Sequence, residues 1–375
     1  MLSIWEKESF FAPKDVIIIG SGFVGLWSAY YIKKRFPKKS VTILERGIIP
    51  TGASTRNAGF ACFGSLTELM EDAAQGGMDR TLQLVEMRFK GLERIQKVFK
   101  RRDIDFNLAG GYDLIDSSMN LGLTELEAQI AVMNRELKSE LGLKEVYRVT
   151  DKKIKKFGFG DVVHMVENRY EGALHSGKLS QVLLSLVQGM GVEVLNAITV
   201  ERYEELEGKV VLHTDKGIEF TAAHVVACTN AFASLLFPGI DVVPARGQVL
   251  LTGPIDGLKL KGCFHYDHGF YYFRNLGDRV LLGGARNKDF ERERTTEFNI
   301  SSFIQDELER FLSTVVLPGQ KYEVTDRWSG IMAMGSEKMP ILKKFSDKIL
   351  VAVRMSGMGV ALAPVIGDTV ATMID

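Results

Sequence analysis

One stretch constrains this chain more than any other: Asp15-Val16-Ile17-Ile18-Ile19-Gly20-Ser21-Gly22-Phe23-Val24-Gly25, running on to Leu44-Glu45-Arg46. Val16 to Ile19 is an unbroken β-branched run, the signature of a strand buried on both faces. Gly20, Gly22 and Gly25 follow in the spacing G-x-G-x-x-G. Gly20 permits a tight turn, Gly22 lets backbone approach a pyrophosphate, and Gly25 lets the next helix pack on its strand. That helix is predicted from about Phe23 to Arg35, its N-terminal amides and positive dipole end aimed at phosphates. Pro37 ends it. A second strand, Ser40 to Leu44, stops at Glu45, which lies 20 residues beyond Gly25, where an acid takes ribose hydroxyls. Strand, glycine turn, helix, strand and acid together read as a dinucleotide site. The acid disfavours a 2′-phosphate, which makes NADP the least suitable ligand.

The 375 residues suffice for two domains. Lys plus Arg and Asp plus Glu number 47 each, a formal net charge of zero, which argues against nucleic-acid binding by bulk electrostatics. Cys62, Cys228 and Cys263 are far apart and lack C-x-x-C spacing, so neither a disulfide framework nor a zinc site is expected. The N-terminal stretch lacks a secretory pattern and no apolar run reaches a membrane span, so the cytoplasm is the expected location.

Further along, the loop Gly52-Ala53-Ser54-Thr55-Arg56-Asn57-Ala58-Gly59 follows the ribose strand with residues small enough to lie against a flat ring. Helical spacing is read from Leu66 to about Arg102, and a hairpin from Ile104 to Ile115. A helix from Thr124 to Leu141 is read with a Thr124–Glu127 capping box. Lys152 to Lys156 is taken as a solvated basic cluster. Strands are expected at Val192–Leu195, Lys209–Thr214, Gly217–Phe220, His224–Cys228, Pro244–Thr252, Gly269–Arg274, Arg279–Arg286 and Ile349–Val353. Helices are expected from Leu179 to Met190, Ser301 to Leu312 and about Ala361 to Ile374. The expected class is α/β: a discontinuous, doubly wound, Rossmann-like cofactor domain (residues 1–80, 160–240 and 325–375). Into it is inserted an antiparallel β-rich and helical substrate domain (81–159 and 241–324).

In their order and spacing these motifs resemble the FAD-dependent D-amino-acid oxidase-like oxidoreductases. The anchors are the crossover with Glu45-Arg46-Gly47, the 52–59 loop, Val225 to Ala231, Pro244-Ala245-Arg246-Gly247-Gln248, Gly283-Gly284, Trp328-Ser329-Gly330 and Ser356 to Pro364. Thr229-Asn230-Ala231 and Trp5-Glu6 are most similar to the gamma-glutamylputrescine oxidoreductase branch, with glycine oxidase close by. The resemblance implies FAD with Gly20, Gly22 and Gly25 around the pyrophosphate and Glu45-Arg46 at the adenosine ribose. It places the Val200 backbone at adenine, Ser54, Thr55, Arg56, Asn57 and Gly59 along the ribityl chain and ring, and Thr229 in the cofactor site. Gly357, Gly359 and Val360 fall near the pyrimidine end. It also implies oxidation of the C–N bond of a small amine or amino acid by hydride transfer to flavin N5, then imine hydrolysis, with oxygen or a quinone or other carrier as final acceptor. No protein acid or base is then required.

Several positions depart from that pattern. Where relatives place a carboxylate-binding arginine, this chain has Met332, and a carboxylate-binding tyrosine falls on Phe270. Arg286, Arg274 and Arg354 are the replacement candidates, and Tyr272 is a further pocket candidate if alternation from Phe270 holds. No cysteine lies at Gly330–Ile331, where relatives attach flavin, which implies non-covalent FAD. Leu281 stands where oxidases place an oxygen-activating lysine, which leans toward a dehydrogenase. His265-Tyr266-Asp267-His268 reads as a polar strand start, with no metal expected. Two competing readings are a flavin-containing module of the tRNA-modification type and an NAD-dependent dehydrogenase. The charge balance argues against the first, and the long second half returning to the first sheet argues against the second.

Overall fold

A computed structural model describes residues 1–374 and divides the chain into two compact units. The first comprises Met1–Arg56, Ser176–Ala245 and Ile331–Asp375; the second comprises Asn57–His175 and Arg246–Gly330. The boundaries drawn from sequence at 80, 160, 240 and 325 thus fall at 56, 175, 245 and 330. Two features move the first two. The helix Leu66–Gly76 packs on helices of the second unit, and Phe60–Ala61 pairs with Gly172–Ala173.

The core of the first unit is a sheet ordered Ile341–Lys344, Ile349–Val353, Glu219–Ala227, Lys14–Ile19, Val41–Glu45, Glu193–Asn196. The last five strands are parallel. Val16, Ile17 and Ile18 are wholly buried, as their β-branched run requires. The hairpin Val200–Leu206 and Lys209–Thr214 extends the sheet beside the start of Glu219–Ala227. That last strand is continuous, where two shorter ones were expected. The glycine-turn helix runs Phe23–Arg35 as predicted. The helix Gly359–Met373 lies against it so closely that a Cβ on Gly367 would come within 2.6 Å of the Trp27 backbone.

The second unit is built on a sheet ordered Val324–Met334, Val243–Thr252, Arg279–Gly284, Tyr271–Leu276, Cys263–Tyr266, Gly111–Asp116, Val162–Asn168, Tyr147–Val149. Cys263–Tyr266 and Gly111–Asp116 pair in parallel; from Val243–Thr252 to Cys263–Tyr266, and from Gly111–Asp116 to Tyr147–Val149, neighbouring strands are antiparallel. One face carries an aromatic core of Tyr112, Phe264, Tyr271, Phe273 and Phe311, closed by the helix Ser302–Phe311.

Four local readings are corrected. The helical stretch after Leu66 is two helices, Leu66–Gly76 and Met78–Val98, broken at Gly77 with φ +88°. The 104–115 hairpin does not form. Asn107 instead exchanges backbone hydrogen bonds with Ala173, leaving Gly111–Asp116 as a strand with other partners. The helix at 124 starts one residue earlier, after Gly122, so Thr124 lies inside its first turn and no side chain caps it. Buried Leu126, its amide donating to the Gly122 carbonyl, sets that start. In the 152–156 cluster Lys152, Lys155 and Lys156 are exposed as expected, but Lys153 is engaged: its ammonium bonds Glu167 at 2.6 Å and the Tyr112 hydroxyl at 3.0 Å.

Candidate functional site

In the first unit the glycine turn sits beside the end of the strand Glu219–Ala227. Gly20 adopts φ +101°, and a Cβ there would lie 3.0 Å from the Cys228 carbonyl oxygen. A Cβ on Gly25 would lie 2.0 Å from the Gly20 carbonyl, a separation no side chain tolerates. Only glycine lets the helix close on its strand here. The strand order reverses direction around Lys14–Ile19, so this crevice is a topological switch point, where open α/β sheets bind ligands.

The side chains around the turn are preorganised. The Phe23 amide donates to Ser54 Oγ at 2.9 Å, and a Cβ on Gly22 would come 3.1 Å from that hydroxyl. Glu45 is buried. Its Oε2 accepts from the Ser21 amide at 2.9 Å and hydroxyl at 2.7 Å, and its Oε1 accepts from the Gly47 amide at 2.9 Å. A carboxylate offers about four lone-pair sites, so capacity remains for a ribose hydroxyl. Arg46 stacks on the Phe232 ring at 3.6 Å, and burial lowers its pKa. Thr55 and Arg56 point back into their own loop: Thr55 Oγ1 donates to the Pro50 carbonyl and Arg56 Nε to the Thr51 carbonyl. Val200 opens the strand Val200–Leu206.

Among the buried polar atoms of this unit that have no hydrogen-bond partner, Thr229 Oγ1, Asn230 Oδ1 and Ser356 Oγ cluster in sequence at two strand ends. They stand just beyond the C-terminal ends of the strands Glu219–Ala227 and Ile349–Val353. Buried polar groups are rarely left unpaired without reason, and a polar ligand at the switch point would satisfy them. Asn230 and Ser356 belong to motifs read from sequence, but those motifs assign neither a cofactor-binding role. Both adopt positive φ (45° and 46°), and an Asn after a buried strand was the available signal for the first. Next to them Gly357 turns with φ +82°, Met332 Sδ lies 3.6 Å from where its Cβ would be, and the helix from Gly359 through Val360 starts without a side-chain cap. These features fit a dinucleotide with a polar ring at its far end.

In the second unit Asn57 Oδ1 accepts from the Gly59 amide at 2.8 Å. Arg274 Nη1 donates to the carbonyls of Gly59 and Leu174, each at 2.9 Å, so Arg274 is a brace for this loop and not a spare cation. Arg354, in the first unit, is likewise committed. It is buried, with its guanidinium bonded to Asp241, Glu337 and the Met339 carbonyl. Arg286 differs: its cation lies 4.7 Å from the Phe290 ring and has no hydrogen-bond or ion-pair partner among the described residues. Burial lowers its pKa, against a smaller opposite effect of Glu293 and Tyr272.

Tyr272 packs over Gly283, beside Phe60, Leu281 and Trp328. Burial raises its hydroxyl to about 12. Phe270 does not share that surroundings. Asp267, His268 and Gly269 all have positive φ, so the strand begins only at Tyr271 and the alternation read back to Phe270 fails. Its ring instead packs on Phe290 and the aromatic core. His265 has gained neighbours invisible in the sequence: Cys62 and Glu171, all three buried.

A doubly wound sheet with a glycine turn, an acid closing its second strand and a β-rich second unit defines the class of dinucleotide-dependent two-domain enzymes. The family follows: a model described as FAD dependent oxidoreductase (DAO) matches residues 15–373, and the chain belongs to that family. The "Probable oxidoreductase OrdL" of Haemophilus influenzae is 24% identical over 376 residues, covering 96% of this chain and 82% of that protein. The "Bifunctional protein ThiO/ThiG" of Trichormus variabilis is 26% identical over 370 residues. The match takes in 96% of this chain but only 52% of that protein, so this chain spans about half its length. Among solved structures, L-proline dehydrogenase from P. horikoshii superposes with a TM-score of 0.78 at 18% identity, covering 96% of this chain and 93% of that one. Glycine oxidase from Geobacillus kaustophilus does so at 0.76 and 19%, covering 96% and 94%. These likenesses establish the fold expected from sequence. No helix among the described residues is long and apolar enough to cross a membrane.

Proposed function

We propose that this chain oxidises the C–N bond of a small amine or amino acid carrying an anionic group, using non-covalent FAD. The observation that carries the reading is the pairing of a glycine cradle with orphaned buried acceptors and donors at Thr229, Asn230 and Ser356. Gly20, Gly22, Gly25 and Ser54 would hold the pyrophosphate, Glu45 the ribose, and the uncapped helix start at Gly359–Val360 the pyrimidine end of the ring. FAD held by these residues would supply the acceptor for the hydride lost from the substrate's α-carbon, leaving an imine to be hydrolysed by water. Arg286 serves as the anchor for the substrate's anion, in place of the arginine that Met332 replaces. Tyr272, Phe60 and Trp328, packed together in the second unit, form an apolar surface suited to the uncharged part of such a substrate. All three cysteines are buried and free, which supports non-covalent attachment. Leu281 at the oxidases' lysine position favours a quinone or other carrier over oxygen.

Anaerobic bleaching of the flavin by a panel of amines, D- and L-amino acids and N-methylated amino acids tests this reading. Bleaching by an anionic amine, followed by slow recolouring when oxygen is readmitted, is the expected result. A purified chain that carries no flavin and cannot be reconstituted with FAD defeats it.

A further inference from the structure

The second unit holds a buried ionisable cluster with no part in the reaction above. Cys62, Glu171 and His265 place a thiol, a carboxylate oxygen and an imidazole nitrogen all within 4.8 Å of one another. The three are 4%, 1% and 6% exposed. They come from sequence positions far apart, and local structure holds each in place. Phe60–Ala61 pairs antiparallel with Gly172–Ala173, Ala61 opposite Gly172. Continuing that ladder by one step sets Cys62 against Glu171. The amides of Phe63 and Gly64, the two residues after Cys62, donate to Glu171 Oε1 at 2.9 and 3.0 Å. The carboxylate is thereby locked beside the thiol with Oε2 left over. Gly111 makes room for that oxygen, since a Cβ there would come within 2.1 Å of it. His265 enters from the central strand, opposite Asp113 on one side and Tyr272 on the other, with the Phe60 ring edge-on at 5.3 Å.

Two atoms of this cluster lack any hydrogen bond, Glu171 Oε2 and His265 Nε2. They face each other at 3.5 Å, too long for a good hydrogen bond. It is close to the roughly 3.4 Å that separates two ligand atoms bound tetrahedrally to one ion at about 2.0–2.2 Å. The surroundings also want a cation. Glu68 and Asp113 lie near enough to His265 to favour a cation there, offset in part by Arg88, which is bonded to the Phe63 carbonyl and Glu68, and by His268 beside Asp113.

We propose that Cys62, Glu171 and His265 form a buried site for a transition-metal dication, with zinc the ion whose preferences the donor set matches. One thiolate, one imidazole and one carboxylate suit zinc, whereas calcium and magnesium take oxygen ligands. Thiolate and carboxylate together balance the dication, so the loaded site is neutral and tolerates burial. Loading releases the Cys62 thiol proton and any proton on His265 to solvent. The hydrogen bonds from Phe63 and Gly64 to Glu171 act as the outer shell that orients a ligand. The site would staple the 60–64 loop and residue 171 to the central strand.

The test is metal content of the flavin-loaded protein produced in zinc-supplemented medium, since a buried ion must be taken up as the chain folds. Inductively coupled plasma mass spectrometry on the desalted protein should find about one zinc per chain. Cys62→Ala, His265→Ala and Glu171→Gln should each lower it at least about tenfold. Glu171→Gln keeps an acceptor for the Phe63 and Gly64 amides, and flavin absorbance of the same sample reports whether each variant folds. Cobalt in place of zinc should give a thiolate charge-transfer band that Cys62→Ser abolishes. If all variants misfold, anomalous scattering at the zinc edge from wild-type crystals decides. Wild-type protein holding far less than one zinc per chain overturns the proposal, as does equal retention by folded variants.

Discussion

The carboxylate of Glu45 receives both the amide and the hydroxyl of Ser21, at 2.9 and 2.7 Å. The acid at the end of the second strand therefore fixes the glycine turn. Glu45→Ala leaves the buried Ser21 hydroxyl without its acceptor. It should destabilise the protein by about 1–3 kcal/mol and weaken FAD binding about tenfold, for one lost charge-assisted hydrogen bond. Thermal denaturation and fluorescence titration of the apoprotein with FAD read the two effects separately.

Gly25→Ala drives a methyl into the Gly20 carbonyl, 2.0 Å away. The expected outcome is a loss of about 1–3 kcal/mol or more from overpacking, accompanied by lower flavin content on purification. Gly52→Ala, whose Cβ meets nothing within 4 Å, should stay within about 0.5 kcal/mol. Urea unfolding of the two variants side by side separates close packing from a general intolerance of lost glycine.

Two arginines weighed equally in the sequence separate in kinetics. Arg286 has no polar partner, so Arg286→Leu should raise KM for an anionic amine at least about tenfold with little change in Tm. Arg354 is buried among Asp241, Glu337 and Met339. Arg354→Met should cost about 1–3 kcal/mol by removing the buried guanidinium that ties the partly exposed carboxylates of Asp241 and Glu337 to the Met339 carbonyl, while the protein that remains folded keeps its KM. Steady-state assays combined with denaturation distinguish the two patterns.

Acid stability should depend on Lys153. Burial pushes the Glu167 carboxyl up, but hydrogen bonds from Lys153 and Arg148 bring it below its ordinary value. A depressed carboxylate contributes stability above its unfolded pKa and loses it as pH falls through the folded one. Lys153→Met raises the folded value. It should therefore lower stability at neutral pH by about 1 kcal/mol and flatten the acid limb of a Tm-versus-pH curve.

The sequence made the first unit legible because its signals are local. A β-branched run, three glycines and an acid occur within about 30 residues, and the helix Phe23–Arg35 and strand Ile349–Val353 fall where they were read. The second unit is set by distant pairings that no short pattern contains. Asn107 pairs with Ala173 and not with its local neighbour, and Cys62 meets Glu171 and His265 only after three strands assemble. Phe270 misled for a different reason: alternation is a property of regular strand, and the left-handed turn before Tyr271 ends it. The arginines were ambiguous because carbonyl partners, such as those that occupy Arg274 and Arg354, leave no trace in composition.

The close seat of Gly367 on Trp27 bears on how the chain is made. The glycine-turn helix leaves the ribosome early, but its packing partner is translated more than three hundred residues later. Until Gly359–Met373 arrives, the part of Phe23–Arg35 that it covers stays open, while Ser176–Gly189 and the first two strands already pack on other parts of that helix, a long-range closure of the kind that slows folding. The second unit has only one later segment to wait for. If FAD binds at the glycine turn as proposed, its site is completed only once this helix has packed.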